Sequence, residues 1–118
     1  MHRTRLAVVP ALVLAAGLVA CGGSSSNSDP VSACKNVFST LCNKLFQCNP
    51  SGAAQVYGTS GNCASTLSAN CTSSNVSCPS GTSYNSGAAT SCINDYGNES
   101  CADVMAGMTP ASCDHVCQ

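Results

Sequence analysis

Cysteine is the residue type that most constrains the fold of this chain. The 118 residues contain 11 cysteines, and ten of them follow a segment at 22–30 that is rich in glycine and serine. Only about 12 Leu, Ile, Val and Phe residues lie between positions 21 and 118, a fraction below the roughly 20% at which disorder is suspected. Disulfides offset such a thin core, because each typically contributes about 2–4 kcal/mol. We therefore expect a small disulfide scaffold in an exported protein. The cysteines predicted to be bridged are Cys34, Cys42, Cys48, Cys63, Cys71, Cys78, Cys92, Cys101, Cys113 and Cys117.

The first 20 residues have the layout of a secretory signal peptide. Arg3 and Arg5 precede an apolar run at 6–20, which is too short for a membrane span of about 20 apolar residues. The run ends in Leu18-Val19-Ala20-Cys21, which resembles the lipobox of bacterial lipoprotein signal peptides. The resemblance implies cleavage before Cys21 and attachment of lipid to its sulfur. An ordinary signal peptide, in which Cys21 is incidental, is the alternative.

Three regions follow from this interpretation. Residues 1–20 are the lipoprotein signal peptide, residues 21–30 are the lipidated cysteine and a flexible Gly/Ser tether, and residues 31–118 are a cysteine-rich helical domain. Several acyl chains would hold the protein on a membrane almost permanently, since each buried methylene contributes about 0.8 kcal/mol. Gly22 is not acidic, which by resemblance to enteric lipoproteins favours the outer membrane.

The charge of the mature chain argues against nucleic-acid binding. After residue 20 only Lys35 and Lys44 are cationic side chains, against five carboxylates. Such a chain cannot neutralise a row of phosphates, and it has few aromatic side chains on which bases could stack.

Apolar residues recur at helical spacing along most of the domain, which predicts an all-α bundle of about four to five short helices after the signal helix and linker. Asp29 and Pro30 suit the start of the first helix, as a capping carboxylate followed by proline. We expect turns and a loop over 48–61 and a second loop up to residue 86. The predicted helices cover residues 31–47, 62–71, 87–96 and 99–107, with a last turn or two after Pro110.

A spacing of about 29 residues recurs among the cysteines. Cys34, Cys63 and Cys92 each begin a unit Cys-x3-apolar-x3-Cys, with one extra residue in the third copy. Positions i, i+4 and i+8 share a helix face, so two such helices could be cross-linked at both ends. Chance amphipathic spacing is the alternative. We expect bridges between helices, and none between Cys113 and Cys117, because adjacent turns of one helix fit disulfide geometry poorly.

Several spacings resemble the helical part of cysteine-rich secreted proteins and lipoproteins of myxobacteria and their relatives. The matching motifs are Cys42-x2-Leu45-x2-Cys48-x-Pro50, Tyr57-Gly58, Cys63-x3-Leu67-x3-Cys71, Tyr84, Cys92, Ser100-Cys101 and Pro110-x2-Cys113. The resemblance implies export, disulfides and helices. It implies no catalytic chemistry.

Candidate catalytic and metal-binding residues are few. His115 is the only histidine after the signal region, and we interpret it as a surface residue near a helix end. A soft-metal site for copper or zinc is the sharpest alternative. Its ligands would come from Met105, Met108, Cys113, His115 and Cys117.

These observations favour a lipid-anchored, non-enzymatic protein of the cell envelope that contributes to the surface or contacts an envelope protein partner. We predict no cofactor and no catalytic residue. The alternatives are a soft-metal-binding envelope protein, or a secreted inhibitor or enzyme that uses an exposed loop. The expected loops for such a site are residues 52–61 and 72–86.

Overall fold

The domain consists of short helices. A computed structural model describes residues 27–118; the predicted signal peptide, Cys21 and the first part of the tether lie outside the described residues. The predicted all-α, disulfide-stapled fold is confirmed, and the described part of the chain holds no strand beyond an isolated bridge between Tyr84 and Cys117. The elements are α1 (Pro30–Cys48), α2 (Pro50–Tyr57), α3 (Ser60–Ser68), α4 (Ser86–Asn98), α5 (Cys101–Met105) and a 3-10 helix (Ala111–His115).

Each α-helix begins at a side chain that caps its amino terminus. In every case the cap accepts a hydrogen bond from the backbone N–H three residues further on, which satisfies a donor that the helix itself leaves unpaired. The expected cap at Asp29, with Pro30 in the first helical position, is confirmed. The caps are Asp29, Asn49, Thr59, Asn85 and Ser100.

The prediction of a loop over 48–61 was wrong. The α2 helix occupies Pro50–Tyr57, because Asn49 both ends α1 and caps the next helix. Its backbone leaves the helical conformation, with φ −145° and ψ 71°, its N–H donates to Leu45 O, and its side chain accepts from Gly52 N. Pro50 then suits the first helical position, where no N–H is needed.

The α1 helix is the centre of the bundle. It contacts α2, α3, α4 and α5, and α4 in turn contacts the 3-10 helix. Among residues 27–118 the buried apolar residues are alanines, cysteines and one valine, and Cys42 and Cys63 have 0% exposure. A core of this kind buries little hydrocarbon, so disulfides carry much of the stabilisation. The core residues are Ala33, Cys42, Ala53, Cys63, Cys71, Ala89, Cys92 and Val104.

The ten cysteines form five disulfides in a palindromic order. In the first half of the domain, residues 34–71, the Cys42–Cys63 bridge lies inside the loop closed by Cys34–Cys71. The second half, residues 78–117, repeats the arrangement, with Cys92–Cys113 inside Cys78–Cys117. The middle cysteines of the two halves, Cys48 and Cys101, bond to each other. One disulfide therefore joins two nested pairs.

The recurring 29-residue unit explains the first nested pair only. The first cysteine of the first unit bonds to the last cysteine of the second, and the reverse, as Cys34–Cys71 and Cys42–Cys63. The two segments are thus antiparallel and cross-linked at both ends, as expected. The third unit differs, since its two cysteines bond to cysteines that belong to none of the three units, Cys92 to Cys113 and Cys101 to Cys48.

Candidate functional site

All ten described cysteine sulfurs are in disulfides. Four of the bridges have at least one cysteine in an α-helix, so they hold the helices to one another and to the neighbouring segments. Cys113 and Cys117 are not bonded to each other, as expected. Cys21, the predicted site of lipid attachment, lies outside the described residues.

The soft-metal site near the carboxyl terminus, which was the alternative interpretation, is not assembled among the described residues. Cys113 and Cys117 are bonded to Cys92 and Cys78, so neither offers a thiolate. Met105 and Met108 are 53% and 56% exposed. Within residues 27–118 no group of three or more His, Cys, Asp or Glu side chains is placed to hold a metal ion.

His115 lies on the surface in the 3-10 helix, and its Nδ1 is hydrogen-bonded to the Gln118 side-chain amide. Its sequence neighbour Asp114 is also exposed. The interpretation of His115 as a surface residue near a helix end agrees with this placement.

An apolar pocket of about 220 Å³ lies between the two halves of the domain. One wall is the amino-terminal half of α1, where Ala33 is buried and Val37 is half-buried. The opposite wall is formed by Ala89 and Cys92 of α4, which are both buried. The remaining lining residues include Val76, Cys78, Val116 and Cys117, which belong to the 72–86 loop and the carboxyl-terminal segment.

Backbone pairing holds the carboxyl-terminal wall in place. Ser83 and Gln118 exchange two hydrogen bonds, Ser83 N to Gln118 O at 2.6 Å and Gln118 N to Ser83 O at 3.0 Å. Asn85 N donates to Val116 O at 2.8 Å. The Cys78–Cys117 disulfide closes the same junction covalently. The wall is therefore fixed although it includes the chain end and a loop.

The polar edge of the pocket is Tyr84, whose hydroxyl donates to Asn27 O at 2.6 Å. Asn27 is held from two further sides: its Oδ1 accepts from Asn36 Nδ2 at 2.7 Å, and its Nδ2 donates to Thr90 Oγ1 at 3.1 Å. The chain leading from Cys21 is thus fixed to α1 and α4 at Asn27, beside the pocket.

No charged side chain lines the pocket. Burial raises the pKa of the Tyr84 hydroxyl above its usual range, and the negative charge of Asp29 raises it further. A tyrosine hydroxyl is already neutral near pH 7 at its ordinary pKa of about 10, and both effects act in the same direction.

Sequence reasoning missed this pocket. The sequence indicates only that 72–86 is an exposed loop. In the structure four residues of this loop line the pocket: Val76, Ser77, Cys78 and Tyr84. The missing information was the Cys78–Cys117 pairing, which brings this loop against the carboxyl terminus. Cysteine spacing alone leaves about 945 pairings open for ten cysteines.

Comparison with protein-family models, with curated proteins and with solved structures gives no match. The resemblance to myxobacterial cysteine-rich proteins therefore stays a prediction. Among the described helices, none combines the length and apolarity needed to cross a bilayer.

Proposed function

We propose that this chain is an exported, lipid-anchored binding protein of the bacterial cell envelope, without enzymatic activity. The observation that carries the proposal is the pairing of every cysteine after Cys21. Ten paired cysteines over a core of small side chains suit an oxidising compartment, because reducing cytosol would leave such a core with too little burial to fold.

The anchor is supported by the sequence before the described region. A cationic head, an apolar run and Leu18-Val19-Ala20-Cys21 are together typical of a lipoprotein signal. Two or more acyl chains on Cys21 would keep the protein on a membrane, with the outer membrane favoured by Gly22. The binding role is supported by the apolar pocket, since concave apolar sites with a few polar groups are the usual form of ligand sites.

The anchor is tested by mass spectrometry of the amino-terminal peptide from the native protein. We expect a peptide that begins at Cys21 and carries the mass of acyl chains, and we expect the protein in the membrane fraction. The Cys21→Ala variant should lose the acyl mass and leave that fraction. As a matched control, the double variant Cys48→Ala/Cys101→Ala changes two cysteines but keeps Cys21, so it should stay on the membrane. An uncut amino terminus with a free Cys21 thiol would contradict the proposal.

The redox state is tested separately by counting thiols in the denatured, unreduced protein. We expect none of the ten cysteines at 34–117 to react with an alkylating reagent. Several reactive thiols in material isolated from the envelope would be incompatible with the proposed compartment.

A further inference from the structure

The pocket between the two halves has the size of a one-ring molecule. Its volume is about 220 Å³, and an apolar cavity of about 150 Å³ is enough to bind benzene. Drug-sized ligands usually occupy about 300–1,000 Å³, so the pocket suits a smaller molecule. Its walls are the aliphatic side chains of Ala33, Val37, Val76, Ala89 and Val116 together with disulfide sulfur.

The charge distribution selects against ions. The lining includes no Lys, Arg, His, Asp or Glu, and a charged group buried there would lose its hydration without a partner of opposite sign. Asp29 precedes the lining residue Pro30 in the chain, so its carboxylate disfavours an anion at this edge more than a cation. A neutral ligand pays no such cost.

Two hydroxyl groups at the edge can orient a ligand. Tyr84 already donates its proton to Asn27 O, but its oxygen has lone pairs left to accept a hydrogen bond. Ser77 lies on the exposed side of the lining. A ligand with one hydroxyl group could therefore place its ring against the valines and its hydroxyl at this edge.

The place where the chain enters the domain indicates the source of the ligand. Asn27 is fixed beside the pocket by hydrogen bonds to Tyr84, Asn36 and Thr90, and it follows Cys21 by six residues. Even fully extended, six residues span only about 20 Å. If Cys21 carries the lipid of the proposed function, Asn27, beside the pocket, lies within about 20 Å of the membrane surface. The bilayer itself is where apolar solutes concentrate.

We propose that this pocket binds a small, uncharged, apolar molecule of about one ring with a single hydroxyl group, drawn from the adjacent membrane. The ligand class rests on the volume, lining and charge of the pocket. Only its supply from the membrane rests on the proposed lipid anchor.

Binding is tested with benzyl alcohol as the probe and the oxidised protein, purified from the envelope, in solution. We expect saturable changes in the methyl NMR signals of Val37, Val76 and Val116, and nuclear Overhauser contacts from the ring to those methyls. Benzoate has the same ring with a carboxylate in place of the alcohol, and it should bind at least about tenfold more weakly. Equal binding of the two probes would overturn the proposal.

A substitution that fills the pocket provides a second test of binding. Val76→Phe places a ring in the cavity from a loop position and should weaken binding of benzyl alcohol at least about tenfold. Val56→Phe is the matched control, because Val56 is 72% exposed on α2 and does not line the pocket. It should bind like the parent. Equal loss in both variants, or none in either, would contradict the assignment.

The nuclear Overhauser contacts between ring and valine methyls are measured in the parent protein. They therefore test binding in the pocket even if Val76→Phe folds poorly. The proposed ligand is excluded if no such contacts appear at saturating benzyl alcohol. It is also excluded if the pocket holds an acyl chain in the native protein. Because these measurements report on the pocket valines directly, they are read in the same way whether or not Cys21 carries lipid. If mass spectrometry finds no acyl chain on Cys21 while benzyl alcohol still binds, only the proposed supply of ligand from the membrane is refuted.

Discussion

At the scale of single residues, the helix caps show how a polar sequence builds a helical domain. Asp29 accepts hydrogen bonds from Ser32 N at 2.9 Å and from the Ser32 hydroxyl at 2.8 Å. The backbone bond, and then the hydroxyl bond, lower the pKa of the Asp29 carboxyl below its usual value of 3.8. The ionised form of this carboxylate is therefore the one that the folded state favours.

We predict that Asp29→Asn weakens the acid sensitivity of the domain. A lowered folded-state pKa contributes stability that is present above 3.8 and lost as the pH falls through the folded value. Asparagine keeps a capping oxygen but does not titrate. Thermal unfolding followed by circular dichroism from about pH 5 to about pH 2 should show a smaller loss of Tm in the variant.

Asp114→Asn is the control for this experiment, because Asp114 is exposed in the 3-10 helix and does not cap an α-helix. It should follow the parent curve. If Asp29→Asn and the parent lose stability in parallel, the cap does not contribute to acid sensitivity.

A second prediction at this scale concerns two glycines that are three residues apart. Gly58 ends α2 with φ +78°, a conformation that side chains with a Cβ rarely adopt, whereas Gly61 lies in α3 with its nearest neighbour at an ordinary 3.8 Å. Gly58→Ala should destabilise the domain by about 1–2 kcal/mol. Gly61→Ala should leave stability unchanged or raise it by up to about 1 kcal/mol, because alanine favours helix.

Urea unfolding of the two variants gives the comparison directly. Because the substitutions are chemically identical, any general effect of an added methyl group cancels. Similar stabilities for both would show that the α2–α3 turn relaxes without cost.

At the scale of elements, the long helix was predictable and the short one was not. The periodic apolar residues of 31–47 and the Asp29-Pro30 start predicted α1 nearly to its ends, Pro30 and Cys48. The α2 helix was missed because Asn49, Pro50 and Gly52 are turn residues by type. The same residues also form a helix start, with Asn49 capping Gly52 N, and local sequence does not decide between the two outcomes. The pocket was missed for a different reason, since it depends on which cysteines pair.

The disulfides differ in the solvent exposure of their cysteines. Cys42 and Cys63, which join α1 to α3, are 0% exposed. Cys101, at the start of α5, is the one exposed cysteine among residues 27–118. An external thiol reaches an exposed disulfide sulfur more readily than a buried one.

We therefore predict that Cys48–Cys101 is reduced first and Cys42–Cys63 last in the folded protein. Limited treatment with a phosphine reductant, followed by alkylation and peptide mass mapping, gives the order. Early labels should appear on Cys48 and Cys101. Simultaneous labelling of all ten cysteines would instead mean that reduction requires global unfolding.

At the scale of the whole molecule, the palindromic disulfide order leaves a single disulfide, beside the backbone, to join the two halves. Cys48–Cys101 is the only bridge between residues 34–71 and 78–117. The segment 72–77 supplies the other connection, through the backbone, and residues 72–75 are exposed. The architecture can thus be tested by cutting one connection and then the other.

We predict that cleavage at a protease site inserted after Ser74 leaves the two halves linked in the absence of reductant. The same cut in a Cys48→Ala/Cys101→Ala background should release two fragments under denaturing, unreduced conditions. Electrophoresis and intact mass give the result. Fragments that stay linked in the double variant would show a second bridge between the halves, and therefore a different pairing.

The nested order also bears on how the chain acquires its bonds during synthesis. A polypeptide appears from its amino terminus, so both bridges of the first half have their partners once residue 71 has emerged. Cys48 can form its disulfide only after Cys101 has emerged. The two disulfides of the second half, whose loops contain Cys101, require residues 113 and 117, which emerge later still. The two segments can mature one after the other, and the bond that unites them is possible only late in biogenesis.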